Sequence, residues 1–315
     1  MMTNRAASVI LLTALLALIL SACATGNSEA ERHVIAGDEL YEQGAYEQAI
    51  AEYDKAIRLD PQWAITFNYR GAAYHDLGQY ERAIEDYDEA IRLNPQWAVA
   101  YNNRGFAYRL LGQYERAIED YDEAIRLDPQ WAIAFDNRGL AYHDLGQYER
   151  AIEDYDEAIR LNPDDAITFN NRGFAYGLLG QYERAIEDFD ESIRLDPDDA
   201  ITFYNRGTAY NYWGQYERAI EDYDESIRLE PGRALNFNNR GIAYDDLGQF
   251  ERAIEDYDEA IRLDSLQAFF YGNRAVAYTE LGQDTEAEDD VNKAVELGED
   301  RASLENSINE IKGQR

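Results

Sequence analysis

The sequence predicts an all-α chain in which helical hairpins stack side by side into an α-solenoid, and two observations carry that reading. A phrase of 34 residues recurs down the chain: a glycine, a tyrosine three positions later, then LGQYERAIEDYDEAIRLDP or a near copy. The anchoring glycine falls at Gly37, Gly71, Gly105, Gly139, Gly173, Gly207 and Gly241, and Ala275 takes its place in the eighth copy. Within each copy, apolar residues return at helical spacing on two successive segments. A unit of that length holds one hairpin that cannot bury its apolar face alone, so neighbours must stack. The uniform period replaces the two or three globular domains that 315 residues would otherwise suggest.

The first residues differ in kind. Arg5 supplies a positive start, the apolar stretch AASVILLTALLALIL at 6–20 is too short and too promptly ended for a spanning helix, and LSAC closes it. Residues 1–22 are therefore expected to be a signal peptide. Leu20-Ser21-Ala22-Cys23 resembles the bacterial lipobox, which implies diacylglycerol on the Cys23 thiol and cleavage just before it. An ordinary secretory signal, or an uncleaved anchor with a chance cysteine, is the alternative. Residues 23–29 then form an acylated linker. Cys23 is also the only cysteine, so no internal disulfide is available and stability must come from stacking.

Eight units follow, at 30–63, 64–97, 98–131, 132–165, 166–199, 200–233, 234–267 and 268–301. In the unit Ala98–Trp131, Tyr101, Gly105, Tyr108 and Leu111 share one face of a first helix that ends near Gly112. Tyr114, Ala117, Ile118, Tyr121, Ala124, Ile125 and Leu127 form the apolar stripe of a second helix. Pro129 ends it, because the residue before a proline is pushed out of the helical region. Gly105 and Ala117 are small where the two helices are expected to cross closely. The last unit departs most, with Ala275, Asp284, Val291 and Glu299 in place of Gly, Tyr, Tyr and Pro, as a terminal unit stacked on one side does. Leu304, Ile308 and Ile311 then fall at i, i+4 and i+7 and predict a cap helix over 302–315.

Counting positions from the start of each unit, a large aromatic at 4, Gly at 8, Tyr at 11, Gly at 15, Tyr at 17, Ala at 20, Tyr at 24, Ala at 27 and Pro at 32 resemble the tetratricopeptide repeat. Leu40, at position 11 of the first unit, is a departure. The resemblance implies a right-handed solenoid whose first helices line the concave surface and whose second helices face outward. Positions 2, 5, 6, 9, 12 and 13 of the first helices are then groove candidates. Asn103, Asn137, Asn171, Asn205, Asn239 and Asn273 stand at position 6, and Asn68, Asn102, Asn170 and Asn238 at position 5; Phe106, Leu140 and Phe174 stand at position 9. A primary amide has two donors and an acceptor, and can hold an extended peptide backbone without reading its sequence. The alternative is that these amides bridge neighbouring helices. The family's chaperone-binding carboxylate clamp, with Lys at 2 and 5 and Arg at 6, is absent. Arg70, Arg104, Arg138, Arg172, Arg206 and Arg240 at position 7 are expected to pair with acids such as Asp86 and Asp120. Trp63, Trp97 and Trp131 close the first three units, where Asp165 and Asp199 stand later; such a Trp is expected to wedge between hairpins.

The formal charge of −34 repels phosphate backbones and excludes nucleic acid as a partner. His33, His75 and His143 are isolated, and neither a metal-ligand motif, a phosphate loop nor a serine elbow is present, so no enzyme, metal or cofactor is expected. The resulting expectation is a lipid-anchored envelope scaffold or adaptor for other proteins or peptides. With Ala24 after the cysteine, the outer membrane, periplasmic side, is the expected site. A binding protein for a glycan or peptidoglycan fragment is the alternative of a different class, and a non-catalytic subunit of an envelope enzyme complex a more distant one.

Overall fold

The structure, a computed structural model, describes residues 28–314. The signal peptide, the linker and Cys23 lie outside the described residues, apart from the linker's last two positions. Among the described residues there are seventeen helices and no strand. They divide into two compact units, one ending at Leu161 and the other running Asn162–Arg315.

The first unit contains four hairpins: α1 Glu29–Glu42 with α2 Tyr46–Leu59, α3 Ala64–Asp76 with α4 Tyr80–Leu93, α5 Ala98–Leu110 with α6 Tyr114–Leu127, and α7 Ala132–Asp144 with α8 Tyr148–Leu161. The second contains α9 Ala166–Leu178 with α10 Tyr182–Leu195, α11 Ala200–Tyr212 with α12 Tyr216–Leu229, α13 Ala234–Asp246 with α14 Phe250–Leu263, and α15 Ala268–Glu280 with α16 Asp284–Glu296; α17 Arg301–Gln314 follows. Within each unit a first helix packs on its own second helix, on the second helix before it, and more lightly on the neighbouring first helices.

The boundaries follow from the chemistry of the repeat. Ser28 starts α1 with a capping box, its hydroxyl accepting from the Glu31 N–H while the Glu31 carboxylate accepts from the Ser28 N–H. Each first helix ends at a glycine of positive φ, such as Gly78 at 72°, whose N–H reaches the His75 carbonyl at 2.8 Å. An L-residue resists that conformation, so position 15 is glycine in all eight units. Inside the first seven hairpins the position-8 glycine lies under the ring at position 24: a Cβ on Gly71 would stand 2.7 Å from Tyr87 Cε1. That contact brings the two helices together and buries the ring completely or nearly so from Tyr53 to Tyr257.

The junction Trp residues wedge as expected where contacts define them. Trp63 packs against the buried cluster around Tyr53 and Tyr69, and Trp97 against Phe67, Ala90 and Ala100. Asp165 and Asp199 instead cap their helices, Asp165 accepting from the Ile167 N–H and Asp199 from those of Ile201 and Thr202. The cap helix begins one residue before the expected boundary. Leu304 and Ile308 pack on Ala275 and Val291, covering the last hairpin.

Candidate binding face

In six hairpins the position-7 arginine joins its first helix to two second helices. Arg104 Nε and Nη2 donate to Asp120 of its own hairpin at 2.8 and 2.6 Å, and its Nη1 donates to Asp88 of the preceding hairpin at 2.5 Å. Arg70, Arg138, Arg206, Arg240 and Arg274 repeat the arrangement. Burial drives the carboxyls of Asp86, Asp120 and Asp154 above the usual range, against the lowering effect of the guanidinium each one holds. These are the structural ion pairs expected from the sequence. A second arginine, at position 19, lies over the tyrosine at position 11, with Arg116 3.9 Å from the Tyr108 ring centre. The outward side of the second helices carries exposed Glu–Arg pairs three residues apart, Glu123 with Arg126 among them, which water screens and which add little to stability.

The amide rows are less open than a binding ladder requires. Asn103 Nδ2 donates to Asn68 Oδ1 at 3.1 Å, and Asn137 Nδ2 to Asn102 Oδ1 at 3.0 Å. In the second unit Asn205 donates to Asn170 at 2.9 Å, Asn273 to Asn238 at 2.9 Å, and Asn239 to the Tyr204 hydroxyl at 2.9 Å. Position 6 of one hairpin thus ties to position 5 of the hairpin before it, which is the bridging alternative. Asn102 and Asn137 are buried; Asn103, Asn170, Asn171, Asn205 and Asn239 are half-buried. The physical cause is the close approach of successive first helices, which puts these positions in the seam between them.

Phe106 and Leu140 are half-buried, while Phe174 is 42% exposed. Phe106 stacks on His75 with ring centres 5.0 Å apart, and the Arg109 guanidinium lies 5.3 Å from the Phe106 ring centre while donating to Asp144 at 2.8 Å. Leu178 and Tyr212, at the groove-candidate position 13, put large apolar surface into solvent, Tyr212 at 72% exposure, and so does Trp213 at position 14, which the sequence reading did not single out.

The described residues contain no group of three or more His, Cys, Asp or Glu placed to hold a metal, and no helix long and apolar enough to cross a membrane. Among curated proteins none matches the chain. Solved structures similar to it include the Cut9–Hcn1 hetero-tetramer of the APC/C, at 18% identity over 93% of this chain and 57% of that chain with a TM-score of 0.63. A tetratricopeptide repeat protein from Parabacteroides merdae is 21% identical over 79% of this chain and 98% of that one, with a TM-score of 0.62. YrrB, a TPR protein with an unusual peptide-binding site, is 27% identical over 58% of this chain and 95% of its own, with a TM-score of 0.48. Tetratricopeptide repeat models match residues 98–130, 166–199, 200–233, 234–265 and 270–300, and a TPR repeat model matches 37–78, 71–110 and 139–180. These matches take in most of the eight hairpins, and the chain belongs to the tetratricopeptide repeat family.

Proposed function

We propose that this chain is a lipid-anchored scaffold of the bacterial cell envelope that holds partner proteins against the faces of its first helices. One observation carries the reading. The first helices put apolar side chains such as Phe174, Leu178 and Tyr212 into solvent, where the exposed side of the second helices carries charged pairs. Exposed apolar surface of this kind marks an interaction site more often than a solvated wall. The repeated residues are spent on joining hairpins, which is the economy of a scaffold and unlike a single reactive constellation. Anchoring is assigned to Cys23 from the lipobox resemblance.

The test has two arms. Cys23→Ser is expected to abolish acylation and move the protein from the membrane fraction; unchanged fractionation refutes the anchor. Cross-linking in intact envelopes, comparing the parent with Phe174→Asp/Tyr212→Asp, is expected to lose specific protein partners in the variant. Retention of every partner refutes the first-helix face, and binding to purified sacculi without protein partners favours the glycan reading.

A further inference from the structure

Two departures from the repeat meet in the second unit. The residue that closes a hairpin is elsewhere engaged by the fold: Trp63 and Trp97 wedge between hairpins, Asp165 and Asp199 cap the helices that follow them, and Gln267 donates to Asp264 Oδ2 at 2.8 Å. Before α13 that place is taken by Arg233, whose side chain caps nothing. Position 5 of the preceding first helix, an asparagine at 68, 102, 170 and 238, is Tyr204 on α11. The Arg233 guanidinium lies over the Tyr204 ring, 4.4 Å from its centre.

The ring is held in place. Asn239 Nδ2 donates to the Tyr204 hydroxyl at 2.9 Å, and Asn238 Nδ2 donates to Asn239 Oδ1 at 3.0 Å, so the platform under the guanidinium belongs to the seam between α11 and α13. The guanidinium itself has no acceptor. Among the described residues no oxygen accepts from it, and its Nη1 is shielded from water with no partner. Every other half-buried arginine among the described residues holds a carboxylate. Acids are not scarce in a chain with 63 of them, so the missing partner is a property of this place. A guanidinium stacked on a ring keeps its N–H groups in its own plane, the fork that takes a carboxylate through two parallel hydrogen bonds. Where water is kept from part of the group, such a pair is weakly screened and correspondingly strong. The chain's other charges, where they lie beyond about 8 Å, are largely screened at physiological salt.

We infer that Arg233 is a binding residue of the first-helix face and takes the carboxylate side chain of a glutamate or aspartate in a partner segment laid across α11 and α13. The ring of Tyr204 presets the guanidinium, so little freedom is lost when the carboxylate arrives. First helices α9 and α15 pack on either side of this pair, so a segment held here continues in both directions and offers a side chain in preference to a chain terminus. The inference rests on the first-helix face being the binding face and names the chemistry of its partner.

The test uses the full chain and two peptides capped at both ends, one alternating glutamate with leucine and the other glutamine with leucine, at physiological salt. A third, glutamine–leucine with a free carboxyl terminus, separates a side chain from a chain end as the source of the carboxylate. A photoreactive group on the glutamate peptide reports where it sits. The expected result is cross-linking to α11 or α13 and tighter binding of the glutamate peptide than of the capped glutamine peptide by about tenfold or more. Arg233→Met keeps an unbranched stem on the Tyr204 ring and should erase that preference without lowering the urea midpoint. Arg58→Met removes an exposed arginine of the first unit and should leave the preference within about a factor of two. In the parent, with no substitution, the Arg233 Nε–H signal in nuclear magnetic resonance should shift on adding the glutamate peptide and stay in place with the capped glutamine peptide. Equal affinity for the two capped peptides, a preference that survives Arg233→Met, or an unmoved Arg233 signal overturns the inference. Tightest binding of the free-carboxyl peptide overturns the side-chain source. Cross-links on first helices away from α11 and α13 would overturn the inference while leaving the scaffold reading in place, and cross-links on the second-helix surface would overturn both.

Discussion

Gly139→Ala tests the close contact on which each hairpin is built. A Cβ at this position would stand 2.6 Å from Tyr155 Cε1, 2.9 Å from Cδ1 and 3.1 Å from Cζ, and Tyr155 is fully buried, so its ring has nowhere free to go. Overpacking of this kind costs about 1–3 kcal/mol. Against it stands the gain of alanine over glycine inside a helix, about 0.8–1.0 kcal/mol. The 2.6 Å approach places the clash at the upper end of its range, and the net expectation is a destabilisation of about 1–2 kcal/mol. Gly207→Ala is the graded control: its nearest contact is 3.0 Å, to Tyr223, so the two effects should nearly cancel. The last hairpin shows how the chain accommodates the extra carbon, since Ala275 there faces Val291 in place of a ring. Adding Tyr155→Val to Gly139→Ala should therefore cost at least about 1 kcal/mol less than the sum of the single changes. Urea unfolding followed by far-ultraviolet circular dichroism gives the ranking, and hydrogen exchange on α7 and α8 localises the effect in an array that need not unfold as one unit. A Gly139→Ala protein as stable as the parent, or strictly additive single changes, would refute the contact as the element that sets hairpin geometry.

Arg138→Met removes the tie between Asp122 and Asp154 and strands a buried carboxylate, so the midpoint of urea unfolding should fall by the equivalent of about 3 kcal/mol or more, with most of it recovered when Asp154→Leu is added. Asp38, 5% exposed, is pushed by burial up to about 7 although Tyr53 donates to it at 2.6 Å. A raised carboxyl means that the folded chain holds the proton more tightly than the unfolded one, so stability is lost as pH climbs from about 4 to about 7. Asp38→Asn should accordingly stabilise the first hairpins at about pH 8, by up to about 4 kcal/mol, and change little at about pH 4, as pH-dependent urea midpoints will show. Deleting 301–315 uncovers Ala275 and Val291 and should accelerate hydrogen exchange in α15 and α16 while the first unit keeps its protection; unchanged exchange there would deny α17 its role as a cap.

The hairpins were legible because their determinants are local. Gly78 and its counterparts demand a turn, Pro129 and its counterparts end a helix, and the stripes at helical spacing say which face is buried. The Arg104–Asp120 pair, sixteen residues apart within one hairpin, was also within reach of that reading. The Asn137–Asn102 pair was not decided by it, since both residues fall on the face opposite the packing stripe when one helix is considered alone. Whether that face is open depends on how far the next first helix leans in, a property of the stack of hairpins and of no single helix. Positions 12 and 13 were legible as groove candidates, but divergence there is equally compatible with drift, and the pairing of Arg109 with Asp144 across two hairpins is visible only in the stack.

Repetition and variation therefore have separate physical meanings in this chain. The position-7 arginine must satisfy a buried aspartate in its own hairpin and an aspartate in the one before, so any departure leaves a charge unpaired in both; that double obligation keeps the motif uniform. Serine at 192 and 226 illustrates a change that the interior accepts only with compensation. Ser192 donates to the Ala166 carbonyl and meets Thr202 Oγ1, and Ser226 donates to the Ala200 carbonyl and receives a hydrogen bond from Asn236, so each new hydroxyl is partnered. Positions 12 and 13 carry no such double obligation, since Arg109-Leu110, His143-Asp144 and Asn211-Tyr212 occupy them in turn at the end of the same kind of helix. Substitutions there alter the surface without altering the stack, so near-identical hairpins come to differ at their rims, where Arg109 pairs with Asp144 in one place and Tyr212, stacked on Tyr182, stays largely exposed in another.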